Sequence, residues 1–200
     1  MQDFLQTVFG WVCGQNSGHT WAPGGVMLPC CQRCTGLYVG ACFARWLHLW
    51  ARPKLSSRFL QAHGLMLILM VPLGFHWVAQ GPELRGVSGV LFGAAVLTFL
   101  WLPLASDRDR RAASQGAASR RKTNLAGWAA YAAGLALAVV GVPLMAERGG
   151  RWASWVLAGA ALGGLLMLAV LVVANVCLTL AWLRRVWVNS SARKAREAGD

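Results

Sequence analysis

Apolar residues run along this chain in blocks long enough to cross a bilayer, separated by short stretches that are basic or rich in glycine. A helix rising about 1.5 Å per residue needs about 20 apolar residues to span a hydrocarbon core of about 30 Å. Five blocks serve: residues 35–50, 59–79, 87–105, 125–145 and 152–183. The first is short and carries Arg45 and His48 near its end, where long side chains reach back to the headgroups. The last is longer than one crossing requires, which predicts a tilt or a projection beyond the bilayer. Ahead of them, Phe4, Leu5, Val8, Phe9 and Val12 recur with a helical period, the pattern of a short helix lying on the outer leaflet.

The pattern predicts an all-α, polytopic membrane helix bundle of about five transmembrane helices. Residues 1–34 form an amphipathic segment and Cys-rich loop outside the cell interior, and 35–105 hold three transmembrane helices. Residues 106–124 form a basic cytoplasmic loop, 125–183 a transmembrane hairpin, and 184–200 a basic cytoplasmic tail. Small-residue faces supply the packing. Gly89 and Gly93 make a G-x-x-x-G, Gly127, Gly134 and Gly141 repeat every seven residues, and Gly159 and Gly163 mark the last span. Pro72 and Pro143 are expected to kink their helices.

Composition narrows the class further. Of 200 residues 56% are hydrophobic and 13% charged, against roughly 25% charged in a soluble domain. A water-facing globule is therefore excluded, and so is a disordered chain. The 19 Lys and Arg against 7 Asp and Glu leave a formal charge of +12, and their placement sets orientation. Basic residues accumulate on the cytoplasmic side. Fifteen of them, including the clusters Arg108–Lys122 and Arg184–Arg196, fall on one side of the predicted spans, while Arg33, Arg85, Arg148 and Arg151 fall on the other. The N-terminus is expected outside and the C-terminus in the cytoplasm of a prokaryotic inner membrane. The segment before residue 35 has neither the basic start nor the small-residue cleavage site of a signal peptide, and is expected to stay on the protein.

The basic loop contacts anionic lipid. It lacks the aromatic platforms that nucleic acid would need, so the expected partners are membrane lipids and a membrane-protein complex, with no nucleic acid. All seven acids fall outside the spans, which leaves no embedded carboxylate to carry protons or cations. Motifs for metalloprotease, serine hydrolase, nucleotide and covalent haem chemistry are missing. Asn175, deep in the last span, is read as an interhelical hydrogen bonder.

The candidate chemistry lies in the cysteines. Cys42 and Cys177 sit within spans, whereas Cys13, Cys30, Cys31 and Cys34 gather just before the first crossing. Cys31-Gln-Arg-Cys34 is a C-x-x-C followed by Thr35-Gly36, a spacing that lets two thiolates converge on one ion. Cys13 adds a third thiolate. His19 or His76 adds an imidazole, giving the Cys₃His set of a structural zinc site, with another transition metal as the alternative. The rival chemistry is thiol–disulfide exchange at Cys31 and Cys34, where a helix start and Arg33 would lower a thiol pKa. A third reading is a small subunit of a larger respiratory or photosynthetic complex, its glycine faces meeting partner helices.

The stretch Leu28-Pro29-Cys30-Cys31-Gln32-Arg33-Cys34-Thr35-Gly36-Leu37-Tyr38-Val39-Gly40 resembles the signature of an uncharacterised prokaryotic membrane-protein family, domain of unknown function 2085. Cys31, Arg33, Cys34, Thr35, Gly36, Tyr38 and Gly40 match its central motif, and Cys13 and Gln15 match an upstream Cys-His-Gln. Gly14 stands in place of that motif's His, and His19-Thr20 stands about where the family has Arg-Ser. Further on, Arg85, Gly89 and Gly93 echo a later family region without its acid. The resemblance implies a cysteine-centred site and names no activity.

Overall fold

The computed structural model describes residues 2–75, 77–114 and 125–197. Six α-helices and two 3₁₀ turns, with no strand, make up the ordered elements among the described residues. They run α1 (Gln2–Gly10), the turns Ser17–His19 and Pro23–Gly25, α2 (Gln32–Trp50), α3 (Ser57–Gly74), α4 (Pro82–Ser114), α5 (Leu125–Arg148) and α6 (Arg151–Glu197). Local chemistry explains several ends. Ser56 caps α3 by accepting from the Phe59 N–H, and Pro82 begins α4, where a missing N–H costs nothing. Gly149-Gly150 alone separates α5 from α6 and makes them a tight hairpin.

Among the described residues, four helical stretches are long and apolar enough to cross a membrane: Ser57–Gly74, Pro82–Ser106, Leu125–Arg148 and Arg151–Trp187. The expected first span, α2, is a continuous helix of 19 residues that is too polar to qualify on composition. The reason is its position. It packs most extensively on α4, then on α6 and α5, so its Thr35, His48 and glycines face protein instead of lipid. Arg45, near its basic end, lies over the Trp101 ring of α4 at 4.1 Å from the centroid.

The α2–α4 contact is a backbone-to-backbone seam. A Cβ on Gly36 would overlap the Gly86 carbonyl, one on Gly40 the Val90 carbonyl, and one on Gly93 the Leu37 carbonyl. The predicted role of Gly89 and Gly93 is thus realised on α2. The heptad of α5 is only partly used, since Gly134 packs on Leu47 while Gly141 faces open space. In α6 the close approach belongs to Gly164, set against the Tyr38 carbonyl, and Gly159 touches nothing.

Three boundaries differ from the pattern reading. α3 stops at Gly74, where the expected span continues to residue 79. Helix continues from α4 through Ser114 and from α6 through Glu197, into segments read as a basic loop and tail; Ala and Arg there are strong helix formers. The remainder of the loop, 115–124, lies outside the described residues. α6 is about 70 Å long at the helical rise, well over twice a hydrocarbon core. α1 forms as expected, but Leu5 and Phe9 are buried in the protein and only Phe4, Trp11 and Val12 remain exposed. Proline lies within α3 (Pro72), α4 (Pro103) and α5 (Pro143).

Away from the cysteines, four helices each contribute one polar group to a buried network. His63 Nδ1 lies 2.9 Å from the Phe59 carbonyl and Nε2 lies 3.0 Å from the Tyr131 hydroxyl. The carbonyl accepts only, so Nδ1 carries the proton and Tyr131 donates to Nε2. Thr98 donates to the Ala94 carbonyl, leaving its oxygen to accept from His48 Nε2 at 3.0 Å. Asn175 donates to the Leu100 carbonyl of α4 at 2.8 Å, the interhelical bond expected of it.

Candidate metal centre

The cysteine end of the bundle is assembled by the loop between α1 and α2. Gln15, with a positive φ of 45°, turns the chain just after Cys13. Its Nε2 then donates to the Gln6 carbonyl at 2.6 Å and the Pro29 carbonyl at 3.0 Å, pinning α1 to the segment before Cys30. Gly24, with φ of 58°, sits directly against Gly150 and Arg151, where no side chain fits. Ser154 Oγ donates to the Pro23 carbonyl at 2.8 Å, and the Trp21 ring covers Gly86. The loop is thereby held between the starts of α4 and α6, and Cys31 arrives as the N-cap residue of α2.

Cys13, Cys31 and Cys34 then meet. Their three sulfurs all lie within 4.8 Å of one another. The Cys31 backbone N–H also donates to the Cys13 sulfur at 3.3 Å. Cys13 is buried, and Cys31 and Cys34 are half-buried. A point equidistant from the three lies no more than about 2.8 Å from each sulfur, and Zn–S bonds run about 2.3 Å, so small torsional adjustments close the set on an ion. The donors are soft sulfurs, which suit zinc or another thiophilic metal and ill suit magnesium or calcium.

Proximity also splits the thiols' acidities. Hydrogen bonds from Cys31 and then Cys34 hold the Cys13 thiol far below its usual range, and outweigh its burial. Cys34 is displaced upward by its bonds to Cys13 and Cys31 and by burial. One thiolate is thus stabilised by neighbouring thiol donors.

Cys30 takes no part. Its side chain is 1% exposed, its Sγ lies 3.3 Å from Thr35 Oγ1, and burial pushes its pKa up to about 12. His19 also stays outside the sulfur group. The Asn16 side chain accepts from Gly18 N–H and caps the turn that carries His19, which keeps that residue in its own half-exposed segment. His76 lies outside the described residues.

Arg33, expected only to lower a thiol pKa, instead braces the centre together with Gln32, Gln80 and Arg85. Arg33 Nη2 donates to the Leu73 carbonyl at 3.0 Å and to Gln80 Oε1 at 2.6 Å, while Arg85 Nη1 donates to Gln32 Oε1 at 3.4 Å. Both residues inside the C-x-x-C therefore bond to neighbouring elements. The position of Arg33 between two cysteines was a signal for this; Gln80 offers none.

Residues 13–99 match the model of a family described as Predicted membrane protein (DUF2085). This part of the chain is similar to that family. The matched segment starts at Cys13 and ends within α4, so it contains all three clustered thiols and both sides of the glycine seam. α1, the last part of α4, α5 and all of α6 lie outside it. No curated protein and no solved structure matches the chain.

Proposed function

We propose that this membrane protein binds one thiophilic metal ion, zinc in the leading case, through the sulfurs of Cys13, Cys31 and Cys34. The observation that carries the reading is the convergence of three thiols from two separate segments to within 4.8 Å. Zinc at such a site is a structural staple, joining the loop after α1 to the first turn of α2. A fourth donor completes a tetrahedron. His19, the nearer in sequence, or His76 is the candidate for that donor. The excess of Lys and Arg in segments away from the cysteine end supports an extracytoplasmic centre in a prokaryotic inner membrane. With no embedded acid for transport chemistry, the protein acts as an accessory or scaffold subunit.

A second reading, membrane thiol–disulfide exchange, draws support from the same closeness and from the low pKa of Cys13. Elemental analysis of the purified protein, combined with alkylation of trapped thiols, separates the two. One zinc per chain with the three thiols protected by metal supports the staple. Absence of metal with a reversible dithiol among these cysteines supports exchange.

A further inference from the structure

The two residues enclosed by the C-x-x-C are latched to other parts of the fold, and the latch on Arg33 is the stronger. Leu73 lies in the last turn of α3, where carbonyls lack intrahelical donors. The Arg33 guanidinium supplies one, and a cation at a helix C-terminus is favoured electrostatically as well. Gln80, just before α4, accepts from the same nitrogen and donates to the same Leu73 carbonyl. Arg33 thus holds both ends of the α3–α4 connection, at residues 73 and 80, from the turn that carries Cys31 and Cys34. Its own backbone is fixed, since a Cβ on Gly89 would overlap the Arg33 carbonyl.

We propose that Arg33 is a positioning residue that couples metal occupancy of the cysteine centre to docking of the α3–α4 connection. The proposal rests on the metal reading above. Metal drawn onto Cys31 and Cys34 immobilises the turn from which Arg33 extends, and so tightens its grip on Leu73 and Gln80. Reciprocally, a docked connection fixes that turn in the ligating geometry, as coupled binding requires. Groups behind metal ligands commonly change metal affinity about 10–100-fold when removed.

The test uses the full chain in mild detergent, with zinc as the probe. Hydrogen exchange of the peptide covering residues 69–80 is followed with and without zinc, and zinc affinity is measured by competition with a chromophoric chelator. In the parent protein zinc slows exchange of this peptide. In Arg33→Gln the protection disappears and affinity falls about tenfold. Arg33→Lys, which keeps the charge, restores part of both. Gln80→Ala, which leaves the cysteine turn untouched, is the second variant should Arg33→Gln fail to fold, and it lowers both readouts in the same direction. Stoichiometric zinc binding that leaves exchange of residues 69–80 unchanged overturns the coupling and spares the metal site. Failure of the parent protein to bind zinc or any other thiophilic metal overturns both.

Discussion

The Cys31 backbone N–H donates to the sulfur of Cys13, 18 residues earlier in the chain, at 3.3 Å. This bond places the third thiol over the first turn of α2 and fixes which cysteines act together. Cys30, adjacent to Cys31, points elsewhere and bonds to Thr35.

That division predicts different reactivities. With a pKa pushed up to about 12 and a side chain 1% exposed, Cys30 remains a protected thiol in the folded protein. Alkylation at neutral pH in mild detergent, read by peptide mass, labels the half-buried Cys31 in metal-stripped protein and leaves Cys30 unlabelled until denaturation. Rapid labelling of Cys30 in the folded state contradicts this arrangement.

The proposed metal site predicts an affinity that rises with pH. Cys13, its pKa displaced downward, already holds the charge that a cation needs, while Cys34, displaced upward, must give up a proton when metal binds. Each proton released contributes about a tenfold change in apparent affinity per pH unit below the relevant pKa. Chelator competition between pH 6 and pH 8 is expected to show tighter binding at the higher value, with protons released on loading. Affinity independent of pH contradicts thiol ligation.

The glycine seam predicts a stability contrast. Alanine at Gly93 must displace the backbone at Leu37, at a cost of about 1–3 kcal/mol. Alanine at Gly141 meets nothing within 4 Å and gains about 0.5–1 kcal/mol of helix propensity. Thermal unfolding in one detergent therefore ranks Gly93→Ala below the parent and Gly141→Ala at or above it. The reverse order removes the tight α2–α4 contact.

Tyr131→Phe removes the donor to His63 Nε2 and leaves a buried acceptor unpaired, a loss of about 1–3 kcal/mol. The same unfolding measurement checks it. A melting temperature equal to the parent's shows that the hydroxyl does not hold the helices together.

The parts of this fold that could be read from the chain are those encoded in local spacing. Four apolar blocks announced crossing helices, and C-x-x-C with an upstream cysteine announced the centre, because two-residue spacing already puts two thiols on one side of a helix start. The role of α2 was legible only in part. Its polar residues weakened its hydropathy because neighbouring helices, invisible in one-dimensional pattern, cover them. Gly164 escaped notice for the same reason: which of several glycines in α6 meets another backbone depends on helix rotation, set here by the Tyr38 carbonyl. The separation of Cys30 from Cys31 depends on the rotation of α2 and on the Gln15 turn, neither of which adjacent letters reveal.

Cobalt(II) substitution of the metal-stripped full chain reports most directly on whether the three sulfurs act as one ligand set. The account predicts one cobalt per chain, with tetrahedral visible bands and strong thiolate charge-transfer absorption that weakens in Cys13→Ser and in Cys31→Ser alike, while Cys30→Ser keeps the parent spectrum. A spectrum unaffected by Cys13→Ser, or the absence of thiolate absorption in the parent protein, contradicts it.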